Sequence, residues 1–368
     1  MKSENSRWPC PACGAAMTYN PAASQLVCGH CGHTETLEAP PEADRRQAMV
    51  EHPLLPALNG RLPGAAMEEV QISKCPGCGA DLELEGLVSA TTCPFCATPV
   101  MPGGPPQRLI RPQAVVPFRI PERDARERMA KWLGSLWFAP NGLTQFARKG
   151  RLLTGIYVPF WTFDSDTQSR YSGMRGDAYY VTETVTVMVD GKPQRQQRQV
   201  RKIRWSRASG RVERFFDDVL VIGSNSLPRE HTEALAPWDL GGLEPFRKDY
   251  LSGFQAEAYG VQLDEGHGRA RGIMSDQIAM DVRRDIGGDE QRIERVDTDW
   301  SDETFKHILL PVWTAAYKYN GKSYRYVVNG QTGKVKGERP WSVWKILFAV
   351  LLGLLFFGLV AVVSEGRF

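Results

Sequence analysis

Cys75-Pro-Gly-Cys78-Gly, followed fourteen residues on by Cys93-Pro-Phe-Cys96, is the stretch from which this 368-residue chain is best read. The same pattern stands 65 residues earlier. There Cys10-Pro-Ala-Cys13-Gly is followed, after another fourteen residues, by Cys28-Gly-His-Cys31-Gly. Together these are the eight cysteines of the chain. A C-x2-C turn offers two thiolates from one tight knuckle, and two such turns supply the four ligands of a tetrahedral metal ion. Glycine after the second cysteine permits the left-handed backbone the knuckle needs. Between the pairs, Ala80 to Thr92 alternates like short hairpin strands. The spacing predicts two zinc ribbons, one Zn²⁺ held by Cys10, Cys13, Cys28 and Cys31, the other by Cys75, Cys78, Cys93 and Cys96. The competing readings are a redox dithiol, which calls for a βαβ setting and a single pair, and an iron–sulfur cluster. His30 and His33 are read as bystanders. Neither ribbon shows an open ligand position beside a catalytic acid, so both metals are read as structural. A ribbon this small has little core, and metal would supply most of its folding free energy, on the order of 10 kcal/mol per site.

Working outward, residues 1–38 and 71–100 are the ribbons, and 39–70 is a Pro/Ala-rich linker with a short helix around Asp44 to Glu51. A second linker, 101–112, leads into a strand-rich α+β domain over 113–339. Helices are predicted over Pro121 to Leu136 and Leu263 to Ile286. Strands are predicted over Leu152–Phe163, Tyr179–Val189, Arg198–Trp205 and Val212–Ile222, with a hairpin turn at Asp190-Gly191. A last hairpin joins Phe305–Tyr319 to Lys322–Val328 through Asn320-Gly321. An internal echo runs through this domain. Val116-Pro117-Phe118-Arg119 leads to a helix and then Pro159-Phe160-Trp161-Thr162, while Glu244-Pro245-Phe246-Arg247 leads to a helix and then Pro311-Val312-Trp313-Thr314. The expectation is two related α+β halves packed face to face.

Near the end stands Ile346 to Val363, ILFAVLLGLLFFGLVAVV, with no charged or polar side chain. As a helix it measures about 27 Å, just enough for a bilayer core, and it predicts a C-terminal transmembrane anchor within 340–368. Lys334, Lys336, Arg339 and Lys345 precede it, only Arg367 follows, and Trp341 and Trp344 stand at the expected interface. The positive-inside rule then gives a single-pass, tail-anchored protein of the inner (cytoplasmic) membrane with its N-terminal bulk in the cytosol. Met1 to Trp8 is polar and carries no secretory signal.

The net charge of +3 points to no polyanionic partner. In the cytosol the cysteines stay reduced. No catalytic motif emerges, and the chain is read as not an enzyme. Gly321-Lys322-Ser323 lacks the earlier glycine of a phosphate loop, because position 316 is alanine. Asp217-Asp218 and Asp285 to Glu290 read as turn residues, and His231, His267 and His307 share no motif. One charge run stands out: Lys192 to Arg214 holds Arg195, Arg198, Arg201, Lys202, Arg204 and Arg207, with only Glu213 opposing. It reads as a basic hairpin face that guards a strand edge, or contacts anionic membrane lipid or, ranked lower, nucleic acid.

The doubled ribbon, Tyr157-Val158-Pro159-Phe160-Trp161, Phe216-Asp217-Asp218-Val219, Asp285-Ile286-Gly287-Gly288-Asp289, Lys306-His307-Ile308-Leu309-Leu310-Pro311-Val312-Trp313 and Val328-Asn329-Gly330 resemble the bacterial zinc-ribbon membrane proteins of YdjG type, some labelled TFIIB-type or primosomal protein N′-like. That resemblance implies an envelope-stress adaptor which recruits SPFH/flotillin-like or phage-shock-protein-A-like partners. The sequence expectation is therefore a zinc-ribbon adaptor docking protein partners at the membrane, the alternative being a membrane-tethered nucleic-acid-binding protein.

Overall fold

The computed structural model describes residues 8–365, except 39, 84–90, 97, 104, 141–152, 190–191 and 320–321, and no side chain for 187–189, 192, 316–319, 322–323 or 359–365. The two glycine-containing turns expected at 190–191 and 320–321 lie outside the described residues.

The first ribbon is the sheet of β1 (Met17–Asn20), β2 (Gln25–Cys28) and β3 (Thr34–Thr36). The segment after it contains α1 (Glu42–Met49), β4 (His52–Pro53) and α2 (Leu54–Leu58). The second ribbon is built on β5 (Met67–Lys74), β6 (Asp81–Glu83), β7 (Thr91–Thr92) and β8 (Pro99–Val100), with β9 (Pro106–Ile110) paired to β5. The body follows: β10 (Ala114–Val115), α3 (Glu122–Gly134), β11 (Thr154–Val189), β12 (Lys192–Ile222), α4 (Arg229–Glu233), β13 (Glu244–Pro245) and β14 (Gln255–Glu257). It closes with α5 (Leu263–Ile286), β15 (Glu290–Tyr319), β16 (Lys322–Asn329), β17 (Val335–Gly337) and the terminal α6 (Val343–Glu365).

α5 forms where its sequence predicts. Leu263, Ala270, Met274, Ile278, Val282 and Ile286 recur at helical spacing and are buried. Asp264 and Glu265 sit in its first turn, Arg283 and Arg284 in its last, and Gly287 ends it at φ 65°. The buried stripe packs with Trp161, Phe163, Tyr171 and Phe216. The strands are longer than the patterns suggest: the four expected between 152 and 222 are two, β11 and β12, in register from Phe160↔Ile222 to Val189↔Lys192. β15 lies along the other side of β11, and the described residues place twelve strands in one mixed sheet.

The two echoed segments lie side by side in that sheet, not face to face. Tyr157 pairs with Pro311, Val158 with Leu310 and Pro159 with Leu309, antiparallel, so a local pseudo-two-fold passes between Val158 and Leu310. The symmetry reaches further than the motifs. β10 runs parallel to β15 at Ile308 and Leu309, and β14 runs parallel to β11 at Ile156 and Tyr157. Each short strand precedes a helix by the same interval (Val115 to Glu122, Ala256 to Leu263). The Trp161 indole N–H donates to Val261 O at 2.9 Å, ahead of α5, while that of Trp313 donates to Ile120 O at 2.8 Å, ahead of α3. Trp161 meets Tyr259, and Trp313 meets Phe118, with ring centroids 4.9 Å apart in both cases. The structural counterpart of Phe118 is thus Tyr259, not Phe246 as the Pro-Phe-Arg echo suggests.

β15 begins at Glu290, opposite Gly176. From Asp177↔Arg204 to Val189↔Lys192, β11 and β12 continue as a two-stranded arm about 40 Å long.

The membrane expectation is corrected. Among the described residues no helix is long and apolar enough to cross a membrane. The transmembrane helix of the expected fold, the tail-anchored single-pass topology and the inner-membrane placement with a cytosolic N-terminal bulk fall with it. The physical reason lies in margin and in context. Eighteen apolar residues stand at the lower limit of a span. The uncharged run Ile346 to Val363 gives about 27 Å of helix against about 30 Å of hydrocarbon, with no margin. The first turn of α6 is also tied to the body: Ser342 N donates to Phe138 O at 2.8 Å, and Lys345 Nζ to Ala139 O at 2.8 Å and Trp137 O at 3.1 Å.

Candidate metal centres

All eight cysteines gather as the spacing predicts, into two sets of four whose Sγ atoms lie within 4.8 Å of one another. Cys10 and Cys31 stand 3.6 Å apart and Cys13 and Cys28 3.5 Å; in the second set Cys75 and Cys96 are 3.4 Å apart and Cys78 and Cys93 3.6 Å. A tetrahedral ion with metal–sulfur bonds of about 2.3 Å has sulfur–sulfur edges of about 3.8 Å, so each set fits a metal ion with little adjustment. The backbone builds three of the four knuckles the same way. Cys10 N donates to Ala15 O and Gly14 N to Cys10 O, and Cys75 N to Ala80 O and Gly79 N to Cys75 O. Cys28 N to His33 O with Gly32 N to Cys28 O repeats the pattern. Gly14, Gly32 and Gly79 carry φ of 74°, 74° and 77°, the left-handed conformation their position requires. In each set one thiol is held toward the thiolate. The backbone N–H groups of Cys31 and His30 bring Cys28 down to about 6, and Cys96 falls to about 7 against its burial through hydrogen bonding with Thr98.

Both centres are fixed to the body through one segment, Asp249 to Ala258. Tyr19 N donates to Ser252 O at 3.0 Å, the Ser252 hydroxyl to Met17 O at 2.7 Å, and the Trp8 indole to Asp249 Oδ1 at 3.0 Å. Tyr19 also packs edge-on against Tyr250 and Phe254. The second ribbon enters the sheet itself: β6 pairs with β14 at Glu83↔Ala256 and Leu82↔Glu257, and β14 pairs with β11. Cys75, Cys93 and Phe95 share a buried cluster with Ile156, Val158 and Phe160.

Sequence reading misses a cluster of buried charge. Lys306 Nζ lies 2.6 Å from Glu51 Oε1 and 2.8 Å from Asp218 Oδ1, and Asp164 Oδ1 accepts the Asp218 N–H at 2.7 Å. Thr304 donates to Glu51. Asp218 has φ 51° at the register shift between Phe163 and Ser165, so the residue read as a turn acid is a bulge that aims a carboxylate inward. Burial, and then the neighbouring Glu51 carboxyl, push Asp164 up to about 7. Burial would lower Lys306, but Asp218 and Glu51 hold it above its ordinary value. The cluster clamps the segment between the ribbons onto β11, β12 and β15.

Glu257, alone and fully buried, accepts from the Ser224 hydroxyl at 2.7 Å and from Ser226. Burial raises it to about 8. The folded protein therefore keeps a proton that the unfolded chain gives up near its ordinary value of 4.5. Stability falls as pH rises between about 5 and about 8 and levels off above, by several kcal/mol. Glu257→Gln keeps an acceptor for both serines; urea titrations at pH 5.5, 7 and 9 will show it flattening this slope and gaining most at pH 9.

The basic run lies along the arm and its base, and part of its charge is neutralised. Arg201 pairs with Glu290 at 3.2 Å and Lys202 with Glu183 at 2.6 Å, while Arg204 stacks over Tyr179. Arg214 forks onto Asp281 at 2.5 and 2.8 Å. Arg195, Arg198 and Arg207 are exposed on the same strand. Asp285 accepts from the Tyr171 hydroxyl at 2.6 Å, Asp289 caps Ala178 N at 2.7 Å, and His307, pushed down to about 4 by burial, contacts Ile110 O. These groups are scattered through the fold.

The chain is similar to the uncharacterized protein YdjG of Bacillus subtilis (strain 168), with 26% identity over 242 residues. The alignment takes in 64% of this chain and 66% of that protein, just under two thirds of its length. No family model matches the chain, and no solved structure matches it.

Proposed function

We propose that the chain is a zinc-ribbon adaptor that docks protein partners, with one structural Zn²⁺ in each four-cysteine set. The observation that carries this reading is the closed donor set. Four thiols at tetrahedral spacing use every coordination position, which leaves none for a substrate and makes the metal a fastener. Thiolate-only ligation suits zinc among the common divalent ions. What the fasteners hold outward is surface: the first ribbon exposes Cys13, Cys31, His30 and β3, while its inner side is bonded through Met17, Tyr19 and Trp8 to Ser252 and Asp249. The resemblance to YdjG-type proteins implies SPFH/flotillin-like or phage-shock-protein-A-like partners. The partial neutralisation of the basic run weighs against nucleic acid as the ligand. The test is co-purification with a tagged SPFH-type and a tagged phage-shock-type protein, using the intact chain and His30→Glu, a surface change that spares every cysteine. Binding to one of them that drops at least tenfold in His30→Glu supports docking through the first ribbon. No binding to either, or salt-sensitive binding of duplex DNA or RNA instead, removes the proposal.

A further inference from the structure

The two edges of the arm differ. β12 contributes Arg195, Arg198, Arg201, Lys202 and Arg204 over the described part, the kind of charge that keeps a strand edge from pairing. Across the ribbon, β11 reads Tyr179-Tyr180-Val181-Thr182-Glu183-Thr184-Val185-Thr186, with no Lys, Arg, Pro or Gly and five β-branched residues. Among the described residues no strand pairs with β11 on its β15 side beyond Gly176. An unsupported two-stranded ribbon is marginal in water, and three or more strands give it independent stability. Which backbone groups face the open edge follows from Asp289. Its carboxylate caps the Ala178 N–H on that side, so by the two-residue alternation Tyr180, Thr182, Thr184 and Thr186 turn their N–H and C=O the same way.

We infer that this edge, Tyr180 to Thr184, is a self-association surface on which a second copy of the chain pairs the same edge antiparallel. The occupant follows from three features. The sequence is close to self-complementary: centred on Thr182, the register sets Tyr180 against Thr184 of the second copy and Val181 against its Glu183, so no glutamate meets its own image. Glu183 is already neutralised within its own copy by Lys202 at 2.6 Å. And the other edge of each arm, on β12, carries the arginines and the lysine that keep it from pairing. Pairing therefore closes into a two-fold dimer with a four-stranded sheet, arginine-bearing β12 strands outermost, and cannot propagate into a filament. A nucleic acid would favour the arginine edge, and an acidic strand would find no cation on this one.

The intact, metal-loaded chain is followed by sedimentation in a non-ionic detergent that keeps the exposed apolar residues of α6, such as Phe348 and Phe357, from associating. Dimer is expected, weakened at least tenfold by Thr182→Pro, which deletes an N–H facing the open edge and spares the β11–β12 ladder. Thr182→Val keeps that N–H and stays dimeric. Thr182→Cys places two thiols at a directly opposed pair with Cα atoms about 5.5 Å apart, within disulfide reach, and under mild oxidation a cross-linked dimer forms. A monomer up to high micromolar concentration, a dimer indifferent to Thr182→Pro, or no cross-linking of the dimer through Thr182→Cys each overturns the inference.

Discussion

Changing Cys75 and Cys78 together to serine is expected to unfold the second ribbon and to loosen the centre of the sheet with it. Metal binding to a four-thiolate site is worth on the order of 10 kcal/mol, comparable with the whole stability of a typical domain. The loss does not stay local, because β6 is hydrogen-bonded to β14 and β14 to β11. Cys75 and Cys93 also close the buried cluster that contains Ile156, Val158 and Phe160. Amide hydrogen exchange is the direct readout: protection of Gln255–Glu257 and Ile156–Phe160 falls together with that of β5 and β6. The matching change at Cys10 and Cys13 removes the other ribbon, which is bonded to the loop at Asp249–Phe254 and, among the described residues, pairs with no strand of the large sheet. Its effect on β11 is expected to be smaller, because Cys10 and Cys28 reach that strand only by sharing a buried cluster with Tyr157. Equal loss of protection in the two variants would show that the second ribbon has no special place in the core.

Lys306→Met is the second large effect. The methionine fits the stem of the lysine but leaves Glu51 and Asp218 facing each other without their shared cation. Breaking a buried ion pair from one side costs about 3–5 kcal/mol, and Lys306 is nearly inaccessible while its two partners are about four-fifths buried. The loss depends on pH. Asp164 is raised to about 7, so it keeps its proton below that and loses it above, where a further negative charge joins the cluster. Destabilisation measured by urea is therefore larger at pH 8.5 than at pH 6. Adding Glu51→Gln recovers much of it, since one of the uncompensated charges is gone. If Lys306→Met is as stable as the parent at pH 8.5, the cluster is not what holds the segment between the ribbons.

Legibility follows chain distance. The metal ligands can be read because each knuckle is local: two cysteines and one turn, with a glycine of left-handed φ in three of the four. α5 can be read to the residue because its apolar spacing, its charged ends and Gly287 all lie within one stretch. The charge cluster cannot, because Glu51, Asp164, Asp218 and Lys306 come from four remote segments and meet only through sheet register. Asp218 misleads: its neighbours in sequence resemble a turn, and the bulge that turns it inward exists only once β11 and β12 pair. The membrane anchor fails for a different reason. Apolar composition alone points to a span, while eighteen apolar residues stand at the lower limit of the length that one needs. The Pro-Phe-Arg echo points to the wrong residue, since Phe246 shares a tripeptide with Phe118 but Tyr259 shares its place.

The interleaving of the two halves also sets a timetable for synthesis. β10 finds its parallel partner only at Ile308 and Leu309, almost two hundred residues later, and β11 has its β15 neighbour only from Glu290 onward. Trp161 caps the start of a helix not yet made when it leaves the ribosome, and α3 waits for Trp313. At about 5–20 residues per second, some ten to forty seconds separate the first of these strands from its mate. During that interval both sets of four cysteines are already synthesised, so each can take a metal ion before the sheet assembles.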